Sequence, residues 1–156
     1  MELDRFDRQL LNLVQQDSAQ TAERLAEQVG LSPSAIQRRL KRMREQGVIV
    51  REAAIVEPRE VGRPTFFVVS LQVEQERPEQ LAQLREWLTK HAEVQQAFYV
   101  TGEADFVIIV TARDTESFDA MMSRLIQENP NVRRFTTNVV LNLVKRGLSI
   151  PVPADS

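Results

Sequence analysis

The chain has 156 residues, 42% hydrophobic and 27% charged, with a formal net charge of −2, a composition typical of folded globular proteins. It holds no cysteine and one histidine, His91, which excludes disulfides, thiolate catalysis and Cys- or His-rich metal sites within one chain. No stretch reaches the roughly 18 apolar residues that span a bilayer, and the opening MELDRFDRQL is amphipathic and acidic, so the expectation is a cytoplasmic protein without a signal peptide. The near-neutral total hides a local excess: Arg38, Arg39, Lys41, Arg42 and Arg44 fall within seven consecutive residues.

In chain order, Asp4 is placed to cap a first helix in which Phe6, Leu10, Leu13 and Val14 recur at helical spacing. The run QQDSAQ ends it. Thr21 caps a short second helix, TAERLAEQVG, with Leu25 and Val29 four apart and Gly30 as its stop. A third follows in LSPSAIQRRLKRMREQG, with Ser32 as N-cap, Pro33 as first helical residue and Gly47 as stop. The β-rich VIVREAAIV then predicts two short strands, a wing-like hairpin bent near residues 51–53.

EPREVGRP, with two prolines, a glycine and four charges, marks a domain boundary. Beyond it the pattern alternates: strand TFFVVSLQV, helix PEQLAQLREWLTKH, strand VQQAFYV, strand DFVIIVTA, helix TESFDAMMSRLIQE and strand VRRFTTNVVLNLV. This βαββαβ order predicts an α+β fold, a ferredoxin-like sandwich with both helices on one face of an antiparallel sheet. The other face is left bare, and a second copy of the chain is the simplest cover for it. The expected domains are 1–57 (winged helix-turn-helix), 58–64 (linker), 65–148 (ferredoxin-like effector-binding and oligomerisation domain) and 149–156 (tail).

On the third helix, at ~100° per residue, Ile36, Leu40 and Met43 fall within about 60° of one another and form an apolar stripe. Ser34, Arg38, Lys41 and Arg42 occupy the opposite face, Gln37 and Arg44 flank it, and Arg39 leans back toward the body. After a short second helix and a tight GLS joint, such a face suits the major groove: Arg reads guanine, Gln reads adenine, Ser and Lys hold phosphates. The candidate DNA-contacting residues are Ser32, Ser34, Gln37, Arg38, Lys41, Arg42 and, at the hairpin bend, Arg51. The competing reading of a basic run, a merely solvated helix face, is weakened here by the helix-turn-helix spacing and the N-cap.

These segments together resemble the Lrp/AsnC family of leucine-responsive, feast/famine regulators. LDRFDRQLLNLVQQD resembles the family's first helix, LAEQVGLSPSAIQRRLKRMREQGVI its helix-turn-helix, VTGEADFVIIVTARD its Thr-Gly-x-x-Asp segment between two strands, and FTTNVVLNLVK its last strand. The resemblance implies dimers formed through the sheets, often four to an octamer, and an amino acid or related metabolite bound between dimers. Two departures stand out: Arg51-Glu52 replaces a usual Gly-Tyr pair, and Pro130-Asn131-Val132 replaces Pro-Gly-Val.

In Thr101-Gly102-Glu103-Ala104-Asp105, glycine permits a tight turn, backbone N–H groups suit a carboxylate, and Asp105 suits an α-ammonium group. A plain hairpin turn capped by Asp105 is the alternative. The resemblance adds Thr136 and Thr137 to the candidate effector site, and Met122 on the second effector-domain helix is expected to help line it. Trp87, with Leu84 and Leu88, reads as core, as do some of Phe66, Phe67, Phe98 and Phe106, the others facing a dimer interface; His91 reads as a helix C-terminal residue. No catalytic pair, phosphate loop or cofactor motif is present. The expected function is a nucleoid-associated transcription regulator that binds double-stranded DNA under the control of an amino acid, needs no cofactor and contacts no membrane. The alternative is an architectural DNA-wrapping protein without an effector.

Overall fold

The structure is a computed structural model and describes residues 2–154; residue 1 and the last two residues of the predicted tail lie outside the described residues. The chain divides into two compact units, Met1–Ile55 together with Lys145–Ser156, and Val56–Val144. The first unit thus takes in the chain from Lys145, four residues before the tail expected from sequence.

In the first unit, α1 (Arg5–Gln16), α2 (Ala22–Val29) and α3 (Pro33–Glu45) enclose a core of Leu10, Leu11, Leu25, Ala26, Val29, Ile36, Leu40 and Met43. Each helix starts where its cap residue dictates. Asp4 accepts from the Asp7 N–H at 2.9 Å, Thr21 from Arg24 at 3.3 Å and Ser32 from Ala35 at 3.3 Å, each satisfying an otherwise orphaned helix donor. Gly30 stops α2 in the left-handed conformation, at φ +77°, and there the chain turns directly into α3.

The expected wing hairpin does not form: residues 50–56 belong to no helix or strand. Hydrogen bonding explains why. The N–H groups of Val48 and Ile49 both close the end of α3 on the Met43 carbonyl, at 2.9 and 3.1 Å, and are unavailable to a ladder. The bend at 51–53 also lacks the Gly or Asn that a tight hairpin needs, and an isolated two-stranded hairpin is marginal. Val50, Ile55 and Val56 are left exposed.

The second unit begins with a short 3-10 turn, Pro58–Val61, and continues as β1 (Thr65–Val73), α4 (Pro78–Lys90), β2 (Val94–Tyr99), β3 (Phe106–Ala112), α5 (Thr115–Glu128) and β4 (Val132–Val139). The sheet order is β2-β3-β1-β4 with every pair antiparallel, the ferredoxin-like arrangement expected from sequence. Strand alternation sorts the side chains. Phe67, Val69 and Leu71 of β1 and Phe106, Ile108 and Val110 of β3 pack with Leu81, Leu84, Trp87 and Leu88 of α4 and Met121, Met122 and Leu125 of α5. Their outward neighbours Val68, Ser70, Val107 and Ile109 form the other face, half-buried by one another but covered by no helix, with Phe98 49% exposed beside them.

β4 is five residues shorter than the sequence pattern suggested. It pairs only with β1, and once Val139 lies opposite Phe67 and the Val140 N–H reaches the Phe66 carbonyl, β1 has almost run out. His91 ends α4 as expected, with Nδ1 2.7 Å from the Trp87 carbonyl and its ring stacked on the indole.

Asp114 caps α5. The Ser117 hydroxyl and N–H and the Arg113 guanidinium together bring its carboxyl pKa down from 3.8 to about 2. Because the folded-state value lies below the unfolded one, the ionised cap stabilises fully above about pH 4, and that contribution is lost as pH falls toward 2. The expected result is a melting temperature for this unit that declines across that window, with a smaller decline in Asp114→Asn, followed by thermal denaturation at stepped pH.

Candidate functional site

On α3 the apolar stripe is buried as its spacing requires: Ile36 and Met43 are 0% exposed and Leu40 is 8%. The opposite face presents Ser34, Gln37, Arg38 and Lys41 to solvent. The Arg38 side chain has neither an ion pair nor a hydrogen bond among the described residues, so its planar donor fork is open to a base edge. Lys41 makes only a loose 3.8 Å contact with Glu45, one turn on. Ser32 is occupied as the cap and lies 3.1 Å from the Ser34 hydroxyl, which leaves Ser34 the more available of the two.

Two of the basic residues are already engaged, and the group that engages them was not singled out from sequence. Asp7 of α1 is 0% exposed. One of its oxygens takes Arg39 Nη1 at 2.8 Å and the other takes Arg42 Nη2 at 2.8 Å; Arg39 also reaches Asp4 at 2.7 Å. Burial alone would raise the Asp4 pKa, but the Asp7 N–H and the Arg39 guanidinium outweigh it and hold the value below the usual carboxylate range. Arg42 therefore differs from expectation. It is 48% exposed but oriented by a buried carboxylate, so it presents a fixed rather than a mobile charge. The signal for Asp7 was present: it stands three residues after Asp4, at the reciprocal position of a capping box, and three before the core residue Leu10. Arg44 pairs with Glu52 at 2.7 Å, and Arg51 is exposed without a partner among the described residues.

In the second unit the segment 101–105 joins β2 to β3. Gly102 has φ +118°, a conformation open to glycine and strained for other residues. The segment is stitched to the end of β1: the Asp105 N–H donates to Leu71 O at 2.9 Å, Asp105 Oδ2 accepts from the Val73 N–H at 2.7 Å, and Gln72 Nε2 donates to Glu103 O at 2.6 Å. One carboxylate oxygen of Asp105 thus does the capping work, and the other takes no partner among the described residues. Thr101, Gly102 and Glu103 are exposed, and the N–H groups of residues 102–104 donate to nothing within the described residues.

The other expected members of this site are dispersed. Met122 is 2% exposed within the helix–sheet core and is a packing residue there, not the lining of an open site. Thr136 and Thr137 are adjacent on a strand and so point to opposite faces. Thr136, opposite Ser70, lies exposed on the uncovered face; Thr137, opposite Val69, lies on the helix side with its hydroxyl buried and unpaired. Of the two, only Thr136 lies on the uncovered face, in line with Ser70 and Val107. An open hollow of about 350 Å³ lies at the other end of β3, lined by Val61, Gly62, Pro64, Thr111, Ala112 and Arg113, and owes nothing to the predicted residues.

Both units match known families. A winged helix-turn-helix DNA-binding profile matches residues 3–50, and the Lrp/AsnC ligand binding domain profile matches residues 67–150, more than half of the chain. The chain belongs to the Lrp/AsnC family. An HTH-type transcriptional regulator of Sinorhizobium fredii is 44% identical over 152 residues, covering 97% of this chain and 90% of the relative. The crystal structure of an AsnC family transcriptional regulator from Agrobacterium tumefaciens, 29% identical, superposes with a TM-score of 0.87 over 96% of this chain and 97% of that one. A transcriptional regulator of Neisseria meningitidis solved in complex with L-Met, 25% identical, gives 0.86 over the same shares. The chain is thus a transcription regulator, with a helix-turn-helix for DNA and the Lrp/AsnC ligand-binding domain for a small molecule. Among the described residues no helix is long and apolar enough to cross a membrane.

Proposed function

We propose that α3 reads operator DNA in the major groove through Ser34, Gln37, Arg38 and Lys41, with Arg42 held by Asp7 as a fixed phosphate contact, and that an amino acid bound at the 101–105 segment controls this binding. The observation that carries the DNA reading is the sorting of α3, with a buried stripe on one side and an unpaired Arg38 on the other. Ser32 serves as the cap that fixes where α3 begins, and Arg51, just beyond α3, adds a phosphate contact.

The effector reading rests on charge complementarity. Exposed N–H groups at 102–104 suit a carboxylate, and the second oxygen of Asp105 suits an ammonium group. The L-Met complex of the Neisseria relative supports an amino acid as the class of ligand. With one wall made by Thr101, Gly102, Glu103 and Asp105 and with Thr136 on the bare face, the site is open on its other sides, which suits completion by another copy of the chain. The uncovered face of Val68, Val107, Ile109 and Phe98 supplies the surface for a homodimer, and dimers assembling to an octamer would bring effector sites and recognition helices into a common frame. In this reading the protein works in the cytoplasm on the nucleoid, requires no cofactor and catalyses nothing.

A thermal-shift screen against the twenty amino acids tests the effector half. A ligand at one hundred times its dissociation constant adds about 2.7 kcal/mol. The expected result is stabilisation by at least one amino acid, abolished in Glu103→Pro, which removes an N–H, and weakened in Asp105→Asn. If no amino acid stabilises the folded protein, the effector reading fails and the DNA reading is left as it stands.

A further inference from the structure

The last described residues of the chain are not loose. From Ser149 to Pro153 the backbone lies extended along α1, running antiparallel to it, and α1 grips it through side chains. Gln15 makes a reciprocal pair with Ile150: its Nε2 donates to the Ile150 carbonyl at 2.9 Å, and its Oε1 accepts from the Ile150 N–H at 2.8 Å. Asn12 repeats the arrangement with Val152, donating to its carbonyl at 2.9 Å and accepting from its N–H at 3.1 Å. Arg8 Nη1 reaches the Pro153 carbonyl at 3.3 Å, and the Ser149 hydroxyl donates to Gln15 O at 3.2 Å. Arg8, Asn12 and Gln15 are four and three residues apart, hence on one face of α1.

The sequence of the segment fits the grip. Ser149-Ile150-Pro151-Val152-Pro153 alternates prolines with ordinary residues. Proline has no N–H, so Ile150 and Val152 carry the donors along this stretch beyond Ser149, and both are taken by the two amides. A residue before proline is also biased to extended backbone, so the segment is shaped before it docks and loses less entropy in docking. Val152, partly buried, packs its side chain against the helical core. The grip reads backbone rather than side-chain identity, apart from this one apolar anchor.

We propose that the Arg8–Asn12–Gln15 face of α1 is a docking site for an extended, proline-alternating strand, and that residues 149–153 occupy it as a latch. The chain passes from the first unit to the second near residue 56 and returns to the first at Lys145. While the latch is engaged, the DNA-binding unit is tied to the ligand-binding unit twice, through the chain at residues 55–56 and through the hydrogen-bonded strand that follows Lys145; once it opens, only the first tie restrains it. Opening and closing of the strap therefore sets how tightly the recognition helix is restrained.

The test is residue-resolved hydrogen exchange by NMR on the full chain. In the wild type, the Ile150 and Val152 amides exchange at least tenfold more slowly than an unstructured peptide of the same sequence. In Asn12→Ala/Gln15→Ala both lose that protection, while the α1 and α3 amides keep theirs. A second variant, Asn12→Leu/Gln15→Met, keeps side-chain bulk and removes the hydrogen bonds, and it loses protection as well. Unprotected amides in the wild type, or protection retained in either variant, would overturn the latch.

Discussion

Arg39→Ala is expected to lower the stability of the DNA-binding unit by about 2–3 kcal/mol, somewhat less than the roughly 3–5 kcal/mol that breaking a fully buried ion pair costs. Asp7 is completely buried and its two oxygens are matched to two guanidinium groups. Removing Arg39, itself only 19% exposed, leaves one carboxylate oxygen without its partner in a site that water does not reach. Arg42 remains to offset part of the charge, which is why the figure falls below that range. In a unit of this size, 1 kcal/mol corresponds to roughly 4–8 °C in melting temperature, so the shift exceeds about 8 °C by far-UV circular dichroism. Arg42→Ala costs less stability, because that side chain is half exposed and Arg39 still holds Asp7. Pairing Arg39→Ala with Asp7→Asn separates charge from shape: with the carboxylate neutralised, loss of Arg39 costs less than it does alone. A shift of only a degree or two in Arg39→Ala would show that the triad contributes nothing beyond surface pairing.

The second large effect is on DNA. Arg38→Ala should weaken operator binding by about 1–3 kcal/mol, roughly 5- to 150-fold, and relax preference at one base pair. It should leave the melting temperature unchanged, since no described residue depends on Arg38. Lys41→Ala should instead weaken binding evenly across sequences and reduce the salt slope by about one. Binding isotherms over a salt series on matched and mismatched duplexes distinguish these outcomes. Equal affinity for wild type and Arg38→Ala would return the basic face of α3 to a solvated surface.

What could be read from the sequence followed the range of the interactions. Helix starts and stops are set by residues within three or four positions, and Asp4, Thr21, Ser32 and Gly30 all act where local chemistry placed them. β1 and α5 match their expected spans residue for residue. The differences arise where a distant partner decides. β4 stops because β1 does; the wing fails because Met43 claims the donors it needed. Arg42 is held by a residue 35 positions away, and the tail by one about 140 away. Thr136 and Thr137 are another matter: strand alternation alone separates them, and the family resemblance had grouped what geometry divides.

The most direct single measurement is selection of binding sites from random duplex DNA by the purified protein at a stated salt concentration, with and without the stabilising amino acid. Enrichment of a two-fold-symmetric site, with half-sites about one helical turn apart or a multiple of it, and a change in that enrichment when the amino acid is present, is the expected result. No enriched sequence in either condition, with specific and non-specific binding equal, would contradict it and favour a protein that wraps DNA without reading it.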